Sequence, residues 1–229
     1  PSDAVERYLA KGREHINEQL WTDAMAALDN ALRMDPNSVE ARLLLARAAQ
    51  RQGNQSLAES HLREVLRLDP RNAAAYQLLG DLALHENKTT EAISNLRLAL
   101  LPSADRPGLP ERVLTHLSLA TALRKEGYLS AAIAELAAFY TASKNPTREM
   151  TEHRELADML VLFKGKATEQ IGELHAQLGQ HDLAAKAYEE TLQESPDAPD
   201  LRARLARSLA RAGKFDAAMT QVQRLLTNA

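Results

Sequence analysis

The sequence predicts an all-α solenoid of about six helix pairs, on three observations. Six alanines, Ala24, Ala58, Ala92, Ala132, Ala184 and Ala218, recur at spacings of 34, 34, 40, 52 and 34 residues. A small residue stands 12 positions before each: Gly12, Ala46, Gly80, Ala120, Gly172 and Ala206. A recurring period of this size marks an array in which each unit stacks on its neighbours. The composition agrees. Hydrophobic residues make up 45% of the 229 residues, enough for a continuous core, while aromatics at 4% leave Leu and Ala to fill it. Runs of β-branched residues, the mark of strands, are nearly absent.

Each repeat reads as two amphipathic helices joined by a tight turn. The first, near 3–36, carries Lys11 where the others have an apolar residue, which suits a terminal repeat with one wet side. The second, near 37–70, shows the pattern most plainly. Val39–Arg51 holds Leu44, Leu45, Ala48 and Ala49 at helical spacing, and Gly53-Asn54 ends it. Ser56–Leu68 follows, closed by Asp69-Pro70. The third repeat, near 71–104, leads into the proline-rich segment 102–110, which accounts for the 40-residue step as a longer loop. The fourth occupies 111–146. The 52-residue step then adds 18 residues, placing a helical insert at 147–163. Eighteen residues is five helical turns, so an extension of the next helix keeps its apolar face in phase. One long helix over 146–178, or a separate helix broken near Gly165, both satisfy the pattern. Repeats five and six span 164–196 and 197–229. The turn slot reads Gln19, Gly53, Asn87, Gly127, Gly179 and Gly213, mostly residues that tolerate a positive φ.

These residues resemble the tetratricopeptide repeat family over nearly the whole chain. The match rests on the small residue of the first helix, the apolar residue before it (Leu45, Leu79, Leu119, Ile171, Leu205), the alanine of the second helix and the closing prolines Pro36, Pro70, Pro146 and Pro196. The resemblance implies a right-handed superhelix that binds extended or helical peptides on a concave wall formed by the first helix of each pair. Carried over to this chain, the expected contacts are Leu9, Arg13, Leu43, Arg47, Arg51, Gln77, Asp81, His85 and Arg124. Arginine can grip a carboxylate with two donors, so Arg13, Arg47 and Arg51 suggest an acidic ligand or a C-terminal carboxylate. The clamp by which some family members hold chaperone C-termini is missing: its positions read Leu9, Arg13, Ala74 and Leu78. Met159 and Phe163 in the insert form a possible second interface.

Catalytic signals are weak. Phe163-Lys164-Gly165-Lys166-Ala167-Thr168 lacks the upstream glycine and the hydroxyl of a phosphate-binding loop. The seven histidines form no HExxH, and cysteine is absent, so no metal or cofactor is expected. Glu169 and Glu173 share a helix face, an arrangement more typical of a solvated stripe than of an acid–base pair. A net charge of −3 gives no reason to expect nucleic acid. The apolar stretch 156–163 is too short to span a membrane. The chain begins at Pro1, as expected of a fragment or processed form, so the lack of a secretory signal leaves the compartment open. Abundant Ala, Leu and Arg suggest a bacterial protein, of cytoplasm or periplasm.

The expected function is therefore a non-enzymatic scaffold for protein–protein interaction. Two rivals are a self-assembling module, joined through the insert or the apolar C-terminal edge, and a helical accessory domain of a larger enzyme or envelope or secretion complex.

Overall fold

A helix must be stopped before it can be paired, and here the stops share one design. All six residues of the turn slot have positive φ, from 60° at Gln19 and 61° at Asn87 to between 73° and 80° at the four glycines. Glycine reaches this left-handed region without strain; Gln19 and Asn87 reach it against a Cβ penalty. Each turn is closed by a backbone bond from an N–H to the carbonyl five residues earlier. Examples are Leu20 N to His15 O (2.8 Å), Asn54 N to Ala49 O (2.9 Å) and Gln180 N to His175 O (2.9 Å). This is the Schellman ending, which satisfies carbonyls that the helix itself leaves open.

The computed structural model describes residues 3–101, 110–146, 148 and 154–227. Twelve helices are described, and no strand occurs among those residues. In chain order they are α1 Asp3–Asn17, α2 Trp21–Met34, α3 Val39–Arg51, α4 Gln55–Leu68, α5 Ala73–His85 and α6 Thr89–Ala99. They continue as α7 Pro110–Lys125, α8 Leu129–Lys144, α9 Arg154–Gln177, α10 His181–Glu194, α11 Pro199–Arg211 and α12 Phe215–Thr227. The chain divides into two units, residues 1–108 and 109–229. The proline-rich segment 102–109 and residues 147 and 149–153 of the insert lie outside the described residues.

In the first unit α1, α3 and α5 lie side by side, each backed by the helix that follows it. Val5, Leu9, Leu28, Ala31, Ala41 and Leu45 form one core cluster, and Ala46, Leu62, Val65, Ala75 and Leu78 belong to the next. Side-chain caps start α3, α4 and α5: Ser38, Asn54 and Asn72 accept from the N–H groups of Ala41, Leu57 and Ala75 at 3.3, 3.2 and 3.0 Å. In the second unit α9 packs on both α8 and α10, and α11 lies between α10 and α12.

Helix α9 runs 24 residues without a break at Gly165, where the Thr168 hydroxyl donates to the Gly165 carbonyl at 2.9 Å. Its Leu160, Ala167 and Leu174 are buried, while Val161 and Leu162 face solvent. The small residues of the first helices have a steric role. A Cβ on Gly12 would lie 2.6 Å from Leu28, on Gly80 2.5 Å from Leu96, and on Gly172 2.5 Å from the Tyr188 ring. Removing that carbon lets paired helices approach until the large side chain opposite fills the gap.

Candidate functional site

A 34-residue period puts equivalent positions of α1, α3 and α5 in register. Arg13, Arg47 and Asp81 each directly follow the small residue; Asn17, Arg51 and His85 lie one turn later. The later row is exposed throughout. The earlier row is half-buried and engaged. Two guanidinium nitrogens of Arg13 converge on one Glu40 oxygen at 3.0 and 2.5 Å, and the third reaches Glu6 at 3.1 Å. These bonds, led by the one to Glu40, hold the guanidinium pKa above its ordinary value. Arg47 and Asp81 also have polar or electrostatic partners.

The remaining sequence-predicted residues scatter. Leu9 is only 3% exposed and packs in the first core cluster, so it supports the wall from beneath and presents nothing to a ligand. Leu43 is half-buried against the second cluster, and Gln77 is half-buried on α5. Arg124 is exposed near the end of α7, in the second unit. Met159 is exposed on α9; Phe163 is half-buried with Lys166 Nζ 5.4 Å from its ring centre.

The second unit holds a cleft of about 350 Å³ between α9, α10 and α11. Glu173, Ala176 and Gln177 form one side; Arg204, Arg207, Ser208 and Arg211 form the other; His181 and Tyr188 of α10 complete the lining. Tyr188 is buried, and desolvation foremost, with Glu173 next, raises its phenol above the ordinary value. Arg204 bridges the two carboxylates of α9: its Nη1 donates to Glu169 at 3.0 Å and also to Glu173. That bridge holds the Glu169/Glu173 pair on one helix face. Arg207 and Arg211 have no hydrogen bond or ion pair among the described residues. His181 Nδ1 is shut off from solvent without a hydrogen-bond partner, and His175 is taken up by Gln180 at 2.7 Å.

Sequence reasoning did not single out Arg207 and Arg211 as a site. The available signal was their register. They stand one and five residues after Ala206, as Arg47 and Arg51 stand after Ala46. Arg204 and its two carboxylates left no comparable local signal. Among the described residues no group of three His, Asp or Glu side chains is arranged to hold a metal ion, and no helix is long and apolar enough to cross a membrane.

Family models of the tetratricopeptide repeat match residues 9–64, 43–110 and 175–229. No curated protein sequence matches significantly. Among solved structures, PilF of Pseudomonas aeruginosa superposes with a TM-score of 0.68 at 18% identity, covering 97% of this chain and 90% of that one. PilW, described as a widely conserved type IV pilus biogenesis factor, gives 0.63 at 18% identity over 100% and 94%. YrrB, described as a tetratricopeptide repeat protein with an unusual peptide-binding site, gives 0.57 at 17% over 83% and 86%. At these identities the likeness is one of fold, and that fold typically serves as a non-enzymatic scaffold for protein–protein interaction. With six turns of one design, glycine-lined helix crossings and matching family models at both ends, the chain belongs to the tetratricopeptide repeat family.

Proposed function

We propose that the chain is a non-enzymatic scaffold that captures a peptide segment of a partner protein on the shared face of α1, α3 and α5. The observation behind this reading is the exposed row Asn17, Arg51 and His85, set beside Arg47, Gln77 and Asp81 over an apolar floor. Such a surface offers hydrogen bonds at helix-to-helix spacing and a cation able to take a carboxylate, acidic or C-terminal. Arg13 contributes less, because Glu40 already occupies its guanidinium. Alanine at Arg47 and Arg51 together should weaken capture of a partner segment from a native extract, with the helical spectrum unchanged. Undiminished capture would remove this face from the assignment.

A second reading, self-association, is favoured by α12. Phe215, Met219, Val222 and Leu226 form a stripe at helical spacing and are 70%, 59%, 39% and 74% exposed. The positions equivalent to Val222 in the other repeats, Leu28, Leu62, Leu96, Leu136 and Tyr188, are all buried. The register thus calls for a covering helix, and a second copy could supply one. Size exclusion with light scattering separates the cases: a monomer over a wide concentration range rejects self-association.

A further inference from the structure

We infer that the cleft between α9, α10 and α11 binds an extended acidic peptide segment, with carboxylates at alternate positions meeting Arg207 and Arg211. This rests on the reading of the chain as a peptide-binding scaffold and locates a second, chemically defined site on it.

The argument starts from charge. Across the cleft Glu169 and Glu173 face Arg204, which is committed to both of them. Arg207 and Arg211 line the same space with no hydrogen bond or ion pair among the described residues, the charge of Arg207 acting on the neutral Tyr188 phenol, so cationic donors are in excess there. An exposed cation in water costs nothing, but two on one face repel one another, and a dianionic ligand removes that repulsion while forming charge-assisted hydrogen bonds.

Geometry selects the form of the ligand. Residues four apart on a helix have Cβ atoms about 5–6 Å apart. In an extended strand, side chains on one face recur at about 6.7 Å, twice the rise per residue. A strand lying along α11 therefore matches one carboxylate to each arginine at alternate residues. Consecutive acidic residues would point to opposite faces and engage one arginine at a time. A strand is also slimmer than a helix, which is about 10–12 Å across with its side chains, and so sits lower between α9 and α11, which line opposite sides of the cleft. The buried face of Tyr188 supplies an apolar floor, and Gln177 and Ser208 offer neutral donors to the strand backbone.

The test uses the full chain and fluorescein-labelled, C-terminally amidated peptides read by anisotropy. One carries alternating Asp and Ser, a second has the same composition with the aspartates consecutive, and a third replaces Asp by Asn. A fourth is the Asn peptide with a free C-terminal carboxylate. The alternating peptide should bind best, the Asn peptide should not bind, and Arg207→Gln/Arg211→Gln should weaken binding at least roughly tenfold. Circular dichroism of this variant, whose changes are at exposed positions, checks that it folds as the parent does. The proposal fails if the double variant binds like the parent, if the Asn peptide binds equally well, or if no peptide binds. It also fails if only the free-carboxylate peptide binds, which would identify C-terminal capture. If Arg47→Gln/Arg51→Gln abolishes binding while Arg207→Gln/Arg211→Gln does not, this site is rejected and the α1–α3–α5 face stands.

Discussion

Gly172 shows how much one missing carbon decides. Its Cβ would meet the rigid Tyr188 ring at 2.5 Å, whereas the Cβ of Gly80 would meet the branched end of Leu96. The second repeat already pairs Ala46 with Leu62 at the equivalent positions, both buried in one cluster, so a leucine can make room for alanine. Gly172→Ala should therefore cost about 1–3 kcal/mol in urea denaturation, as overpacking does, and Gly80→Ala distinctly less. Gly172→Ala combined with Tyr188→Leu should recover most of the loss. His61 gives a pH prediction. Burial first, then the charge of Arg42, hold it below its ordinary 6.5, with Asp29 opposing. The unfolded chain thus takes up this proton at a higher pH than the folded chain. Its contribution to stability is intact above 6.5 and declines as pH falls through 6.5 toward the lower folded value. His61→Gln should flatten that part of the stability–pH curve; an unchanged slope between neutral pH and about pH 5 would count against it.

At the level of elements, helix ends separate into those made cheaply and those made against strain. Four turns use glycine; Gln19 reaches φ 60° with a full side chain. Gln19→Gly should raise stability by up to about 1 kcal/mol, because a left-handed non-glycine residue costs roughly that much and its removal exceeds the added chain entropy. Thermal unfolding of the variant checks the sign. Asn72 caps α5 and is itself held by Asp69, to which its side chain donates at 2.9 Å. Asn72→Ala should cost about 1 kcal/mol, within the usual range for a lost cap. Much at this scale was readable from sequence: the four glycines and Asn87 of the turn slot have the positive φ that their type and place implied, and Gln19 shares it by place alone. The continuity of α9 through Gly165 was not readable, because one glycine in a helical pattern is compatible with a break or a run. Packing on α8 and α10 decides it.

For the molecule as a whole, repeat arrays gain stability from each pair and its neighbours, so a lesion is felt most near its own position. Hydrogen exchange on Gly172→Ala should show the largest loss of protection in α9, α10 and α11, with α1–α4 nearly unchanged. A uniform loss along the chain would contradict a nearest-neighbour account. The same scale governs the proposed binding. Arg47/Arg51 and Arg207/Arg211 occupy identical register positions in different units, yet Arg47 is half-buried and Arg207 is exposed.

The sequence by itself determined the repeat, its helices, its turns and the small residues at the crossings, because each depends on residues within one period of the chain. Only the tertiary structure decided which wall residues can meet a ligand. Leu9 sits at a wall position by register but is buried, and Arg13 is occupied by Glu40, 27 residues away. Arg204 is taken by carboxylates 31 and 35 residues away, leaving Arg207 and Arg211 to face the cleft. The physical reason is that periodicity fixes where a side chain leaves the backbone. Which partner satisfies its charge depends on neighbours brought close by packing, and those lie on other helices.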